Sequence, residues 1–331
     1  MPTRRLHRRA LIQASIAAGL FAPAIARAQS AIVLRWADNA APTHPSALSA
    51  LRAAAEVKEK SGGRIEIQSF PSGQLGGSRD TVEAVSSGAL TMVTEGAATL
   101  GQFVPPFTIM EAPYVWKDAA HITRFLHSPA MEELNQLSIK TRDTRVLAAD
   151  YYGTRHLTTG AREVHTAADM KGFKLRVPAV DVYKAMAEAW DARPTPIDYN
   201  ELYLALSQGA VDGQENPLPT IQAGKFFEVQ KYLVLTAHII TPRLVMINEP
   251  AWGKLSPGDQ QIVMTALNNA VTWQDAEIMK QEATLAGTFK TAGMTVIQPD
   301  VETFRKPVLA KLPAMFEAKW GKGLWDKIQA A

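Results

Sequence analysis

The chain contains no cysteine, which excludes disulfides, thiolate metal sites, a cysteine nucleophile and a lipid-modified cysteine at a processing point. It also lacks Gly-x-Ser-x-Gly, a Walker loop, Gly-x-Gly-x-x-Gly and His-Glu-x-x-His, so the common hydrolase, nucleotide-binding and zinc-protease chemistries have no foothold. The 7 histidines are scattered, and neither a metal nor a cofactor is expected. After the first 25 residues, no apolar run is long enough to span a bilayer. Charge of one sign is scarce too. The 35 Lys and Arg nearly balance 32 Asp and Glu, and no basic run is interleaved with aromatics, so nucleic acid is not an expected partner.

The excess of positive charge belongs to the N-terminus. Residues 1–28 carry Arg4, Arg5, Arg8, Arg9 and Arg27, no acid, and an apolar run from Ala10 to Ile25. Arg8-Arg9 directly before that run matches a twin-arginine export signal, and Ala26-Arg27-Ala28 offers a small-x-small cleavage site after Ala28. Removing those five arginines takes the formal net charge from +3 to −2. A periplasmic, soluble mature protein is therefore expected, with a short membrane anchor as the alternative.

At 331 residues with 47% hydrophobic content, the remaining chain suffices for about two domains. Its pattern is α/β. Strands are expected near 32–39, 64–70, 90–94, 145–151, 174–178, 211–216, 239–247 and 295–297, most of them separated by helical periodicity. The early β-α-β repeats predict a mostly parallel sheet. Residues 218–232 read as helical. Ser256-Pro257-Gly-Asp259 is a strong helix start with no breaker before Gly287, giving a helix of roughly 30 residues, about 45 Å, long enough to cross two lobes.

The most informative stretch runs from Pro194 to Pro217. A short helix capped by Asp198 or Asn200 ends at Gly209, and the following strand leaves Asn216 at its C-terminal end, where ligands collect in open α/β sheets. Arg155 and Arg176 come from neighbouring strand ends and could converge with Asn216 on one anion, since a guanidinium fork matches a carboxylate. Asn39 and Glu95 lie at the ends of early strands and face the same crevice, unless they are a turn amide and a capping carboxylate. Trp36, Tyr152, Tyr199 and Phe226 could wall a pocket, and His44 is a further candidate.

Tyr-Gly-Thr-Arg155-His-Leu-Thr-Thr, Ala168-Asp-Met-Lys-Gly-Phe-Lys-Leu-Arg176-Val-Pro, Pro194-Thr-Pro, Glu201-Leu-Tyr-Leu-Ala-Leu, Val211-Asp-Gly-Gln-Glu-Asn216-Pro and Lys225-Phe-Phe-Glu-Val-Gln-Lys-Tyr, in this order, resemble the DctP-type solute-binding subunits of tripartite ATP-independent periplasmic (TRAP) transporters. The resemblance implies a two-lobed α/β protein of the Venus-flytrap type, with mixed sheets and a long lobe-spanning helix, closing on a small organic acid. Expected bounds are 29–152 plus 242–281 for lobe I and 153–241 plus 282–331 for lobe II. It further implies that Arg176 clamps a carboxylate, with Arg155, Asn216 and Tyr199 beside it and Asn39 and Glu95 facing them. Partners would be the small and large membrane permease components; the subunit itself is expected to be a monomer and not an enzyme. Sialic-acid binders resemble Glu-Ser-Ala-Arg after the third strand, whereas this chain reads Glu95-Gly-Ala-Ala98. That departure argues for a smaller acid: a 2-oxo or 2-hydroxy monocarboxylate, or a C4-dicarboxylate. The competing readings are a periplasmic hydrolase or lyase with Glu95 or His156 as base, and a solute sensor for a regulatory receptor.

Overall fold

Alternation of buried and exposed residues defines the first strand, in which Leu34 and Trp36 turn inward between Val33 and Arg35. The computed structural model describes residues 31–330; the expected export signal over 1–28 and its cleavage point lie outside the described residues. Nine strands follow: β1 (Ile32–Asp38), β2 (Ile65–Phe70), β3 (Met92–Gly96), β4 (Thr144–Thr159), β5 (Lys174–Val177), β6 (Arg193–Pro196), β7 (Gly213–Pro217), β8 (Tyr232–Asn248) and β9 (Thr295–Ile297). They join in the order β2-β1-β3-β8-β4-β7-β5-β6, with β9 also on β8.

The two ends of this order are parallel, as the β-α-β pattern predicts: β2, β1 and β3 at one end, and β7, β5 and β6 at the other. The centre is antiparallel, because β4 and β8 run together through both halves. Sequence alternation predicts only 145–151 and 239–247 of these two strands. Each is interrupted by bulges, at Val146/Ala148, Tyr151/Gly153 and Arg155/Leu157, and Ala237 has φ of 45°. Such breaks shift which side chains face inward and hide a long strand from a period-two search. The helix expected over 218–232 is likewise shorter: Leu218–Ala223 is helical, a 3-10 turn spans Phe226–Glu228, and Tyr232 already begins β8. Pro194 and Pro196 fit in β6 because it lies at the sheet's edge.

Ser256 caps the Pro257–Thr291 helix by accepting from the Asp259 amide at 3.1 Å, and the helix runs 35 residues, through Gly287, for about 50 Å. Its first half packs Val263, Ala266, Leu267 and Ala270 against Leu34, Trp36, Val57 and Ile65. Its far end packs Leu285 and Phe289 against Leu202, Leu206, Ile221 and Phe226. The helix thus joins two cores of a two-lobed plan, while a third and larger core runs through both halves, packing Val93 and Phe107 with Val177, Tyr183 and Trp320. Between them the helix grips the β4 bulge: Asp275 accepts from the Tyr151 amide at 2.8 Å, and Glu282 accepts from the Thr154 amide at 2.6 Å and the Tyr151 hydroxyl at 2.8 Å. Gly153 is required there, with φ of 125° and Pro217 Cβ only 2.8 Å from where its own Cβ would stand.

The C-terminal helices cross the expected lobe boundary. Trp320 Nε1 donates to Thr108 Oγ1 at 2.9 Å and His121 Nε2 lies 2.7 Å from the Ile328 carbonyl, while Lys319 pairs with Asp181 at 2.9 Å. Residues near 320–330, expected with lobe II, thus pack on lobe I elements as well.

Candidate functional site

β7 lies between β4 and β5, so Arg155, Asn216 and Arg176 come from three adjacent strands and line one cavity. The short β7 ends at Pro217, and the pleat puts Gln214 and Asn216 on the same face. The three residues meet as expected, but their partners differ. Arg155 is fully engaged: Nε donates to Glu215 Oε2 at 2.5 Å, and Nη2 reaches Glu215 Oε1 at 2.8 Å and Asn216 Oδ1 at 3.1 Å. His238 Nε2 lies 3.1 Å from the same Glu215 carboxylate. Asn216 donates its own amide to Gln214 Oε1 at 2.5 Å. Arg176 is equally buried, at 3% exposure, yet its one hydrogen bond is from Nε to the Ile197 carbonyl at 2.8 Å. Burial pushes its pKa down to about 10. Among the described residues neither terminal nitrogen of this guanidinium has a hydrogen-bond partner, and the group lines the cavity.

The opposite wall comes from lobe I. Arg243, inside β8, donates to Asp38 Oδ1 at 2.9 Å, to Ser46 Oγ at 3.2 Å, to Asn39 Oδ1 at 3.2 Å and to the Thr94 carbonyl. Its guanidinium carbon lies 5.0 Å above the Tyr152 ring. Asn39, held also by Ser78 at 2.8 Å, and Glu95 both line the cavity, as the sequence predicts. Glu95 is 4% exposed and 3.8 Å from Arg243, and burial pushes its pKa up to about 7. Glu111 accepts from the Ala98 amide at 2.8 Å and from the Tyr183 hydroxyl, and burial raises its pKa as well. Ala98 is the position at which the sialic-acid pattern carries arginine. Here its backbone serves Glu111 instead.

Tyr152 and Tyr199 line the cavity; the Tyr199 hydroxyl and Thr241 Oγ1 are buried without a hydrogen-bond partner. Three expected wall residues do not reach it. Trp36 is a core residue tied to Thr94 Oγ1 at 2.8 Å, because its alternation on β1 points it under the sheet. His44 caps the Pro45–Lys60 helix, accepting from the Ser46 amide at 3.1 Å, with its ring tilted against Tyr152 at 4.9 Å. Phe226 packs in the second core and supports Tyr199 edge-on at 5.8 Å. The sequence reading missed Arg243, Glu111, Tyr183 and Thr241. For Arg243 a signal existed: a lone arginine within the apolar run Ile239 to Ile247 must be paired or functional when buried.

The arrangement suits capture of an anion rather than turnover. Ion pairs occupy Arg155 and Arg243, Glu95 sits next to a guanidinium rather than a nucleophile, and His156 accepts from the Ala237 amide at 3.2 Å. Among the described residues, no group of three or more His, Asp or Glu side chains could hold a metal, and no helix is long and apolar enough to cross a membrane.

The family model described as bacterial extracellular solute-binding protein, family 7 (DctP) matches residues 36–319. The sialic acid-binding periplasmic protein SiaP of Vibrio cholerae is 36% identical over 282 residues, covering 85% of this chain and 87% of that protein. A TRAP periplasmic solute-binding protein of Roseobacter denitrificans, solved with 3-deoxy-D-manno-oct-2-ulosonic acid, superposes with a TM-score of 0.86 at 31% identity, covering 91% of this chain and 99% of that one. One from Polaromonas sp., bound to D-erythronate, gives a TM-score of 0.84 at 31% identity over the same 91% and 99%.

Proposed function

This chain belongs to the DctP family of bacterial extracellular solute-binding proteins, and on that premise we propose that it captures a small organic acid between its lobes through the Arg176 guanidinium. Members are periplasmic solute-binding proteins of TRAP transporters and not enzymes. The observation that carries the reading is the contrast in pairing: of the buried arginines in the cavity, Arg176 alone makes no salt bridge among the described residues, and the charges of Glu215 and Asp198 offset its burial only in part. A buried charge compensated only in part is costly, so a ligand carboxylate is the group that would relieve it. The ligand class is a carboxylate-bearing acid such as a 2-oxo or 2-hydroxy monocarboxylate or a C4-dicarboxylate. Ala98 in place of an arginine supports a ligand smaller than the sialic acid named for the Vibrio relative.

Closure follows from the same charge. Arg176 sits on β5 and the facing polar groups on β1, β3 and β8, so the acid is fully desolvated only when the walls meet and its binding shifts the equilibrium toward the closed state. The lobes divide near Tyr152 and Pro242, with the long helix and the C-terminal helices joining both. Export by the twin-arginine signal, cleavage after Ala28, and delivery of the acid to small and large membrane components complete the reading. A thermal-shift screen of organic acids and neutral sugars tests it, because stabilisation grows with ligand concentration over Kd. One acid should raise the melting temperature, and Arg176→Ala should weaken its binding at least about 100-fold. Unchanged affinity in that variant would sink the clamp.

A further inference from the structure

Glu111 and Tyr183 both line the cavity and meet across it. On the division near Tyr152 and Pro242, Glu111 ends the 3-10 turn Pro105–Glu111 of lobe I, and Tyr183 stands in the first turn of the Asp181–Ala189 helix of lobe II. Each is fixed within its own lobe. Glu111 Oε1 accepts from the Ala98 amide at 2.8 Å and lies 2.6 Å from where a Cβ on Gly96 would stand, an approach that a glycine leaves open. The Tyr183 ring lies under the Arg155 guanidinium, whose carbon is 5.2 Å from the ring centre, and Glu215 holds Arg155 in turn. One hydrogen bond then joins the two walls, from the Tyr183 hydroxyl to Glu111 Oε2. Glu111 is 4% exposed and Tyr183 1%, so water does not replace either partner here.

We propose that Tyr183 and Glu111 are positioning residues for closure: their hydrogen bond forms when the walls meet, breaks when they part, and holds the closed state whichever acid enters. This inference rests on the closure proposed above and goes beyond the Arg176 clamp, because the bond joins protein to protein. While the walls are apart, water solvates both groups. As they meet, the Glu111 carboxyl loses that water, and its donors become the Ala98 amide and the Tyr183 hydroxyl. A buried acceptor left without its donor costs more than a made bond gains, so the hydroxyl favours closing in the one register that brings it to Glu111. A second contact between the lobes, His44 Nε2 with Thr220 Oγ1 at 3.3 Å, is longer and lies beside Tyr152 at the division itself, where opening displaces it least.

A chain without cysteine allows a test that needs no ligand. A Cβ on Gly77 would stand 3.4 Å from Asp198 Cγ, so Gly77→Cys with Asp198→Cys places two thiols across the rim at a separation that a disulfide can bridge when the walls meet. Equilibrated against reduced and oxidised glutathione, the pair reports its own effective concentration, which registers closing even where it is rare. Tyr183→Phe, which keeps the ring under Arg155, should lower that concentration at least about fivefold and leave the urea midpoint of the reduced chain unchanged. In a Glu111→Ala background the same change should no longer lower it, since the hydroxyl has lost its partner. An effective concentration within about twofold of the parent's would overturn the proposal, and so would an equal fall in both backgrounds. A lowered urea midpoint with the thiol pair unaffected would assign the hydroxyl to a permanent core contact. In each of those cases the disulfide still forms, so closure stands and the positioning role fails. Where no disulfide forms in any background, the walls do not meet, and the closure reading fails together with this one.

Discussion

The wall around Arg243 and the wall around Arg176 use the same side chain in opposite states. Both guanidiniums are 3% exposed and both line the cavity, yet Arg243 hydrogen-bonds to Asp38, Asn39, Ser46 and Thr94, whereas among the described residues Arg176 hydrogen-bonds only to a backbone carbonyl. Burial opposes the charge in both, and only at Arg243 do neighbouring carboxylates more than compensate, so its pKa lies above the ordinary value while that of Arg176 falls to about 10. The first arginine is paired within the fold, and the second is the one proposed to take the ligand. Buried charge is thus not by itself a mark of function; buried charge without a partner is.

Removing a paired arginine should give the largest effect on stability. Arg155→Ala leaves the buried Glu215 carboxylate without its guanidinium and with only His238 hydrogen-bonded to it, a loss of about 3 kcal/mol readable by urea melts. Arg176→Ala in the same experiment should leave ligand-free stability unchanged or raised. Equal losses for the two would erase the distinction between the walls.

A comparable effect should appear with pH on the lobe I wall. The Glu95 pKa rises from its ordinary 4.5 to about 7, so its stability contribution is complete below 4.5 and is lost as pH rises through 7. Between those limits the wild type should lose on the order of 3 kcal/mol relative to Glu95→Gln. Parallel stability curves for the two would mean that Glu95 is solvated.

A smaller effect concerns how the walls meet. A Cβ on Gly77 would stand 2.5 Å from Asp198 Oδ2, although Gly77 itself has φ of −70° and incurs no backbone strain as alanine. Gly77→Ala should therefore weaken ligand binding by about 1 kcal/mol, roughly fivefold, with an unchanged melting temperature of the ligand-free protein. Undiminished affinity would show that these segments are not brought together by closure.

The smallest effect isolates a single hydroxyl. Tyr199 OH is buried without a partner, so Tyr199→Phe should not destabilise the ligand-free protein and should cost about 0.5–1.5 kcal/mol of binding. Destabilisation without loss of affinity would assign the hydroxyl to the fold.

Sequence pattern revealed β1, β2, β3, β5 and β7 and the long helix, whose cap Ser256-Pro257 announces, but not the edge strand β6, whose prolines break the strand pattern. It truncated β4 and β8, whose bulges reverse the inward face mid-strand. At the site, Arg176, Asn39, Glu95 and Tyr199 were legible as polar or aromatic groups at strand and helix ends. Trp36, His44 and Phe226 were misplaced because aromatic character does not tell a cavity's lining from the layer behind it. The partners of Arg155 were hidden for another reason. Glu215 adjoins Asn216 in the chain, but only the β4–β7 register brings its carboxylate to Arg155.

The most direct measurement is a crystal structure of the protein with the acid that raises its melting temperature. The carboxylate should accept both terminal nitrogens of Arg176 while Arg155–Glu215 and Arg243–Asp38 stay intact. A carboxylate bound instead to Arg243 or Arg155, with Glu215 or Asp38 displaced, would contradict the division between the two walls.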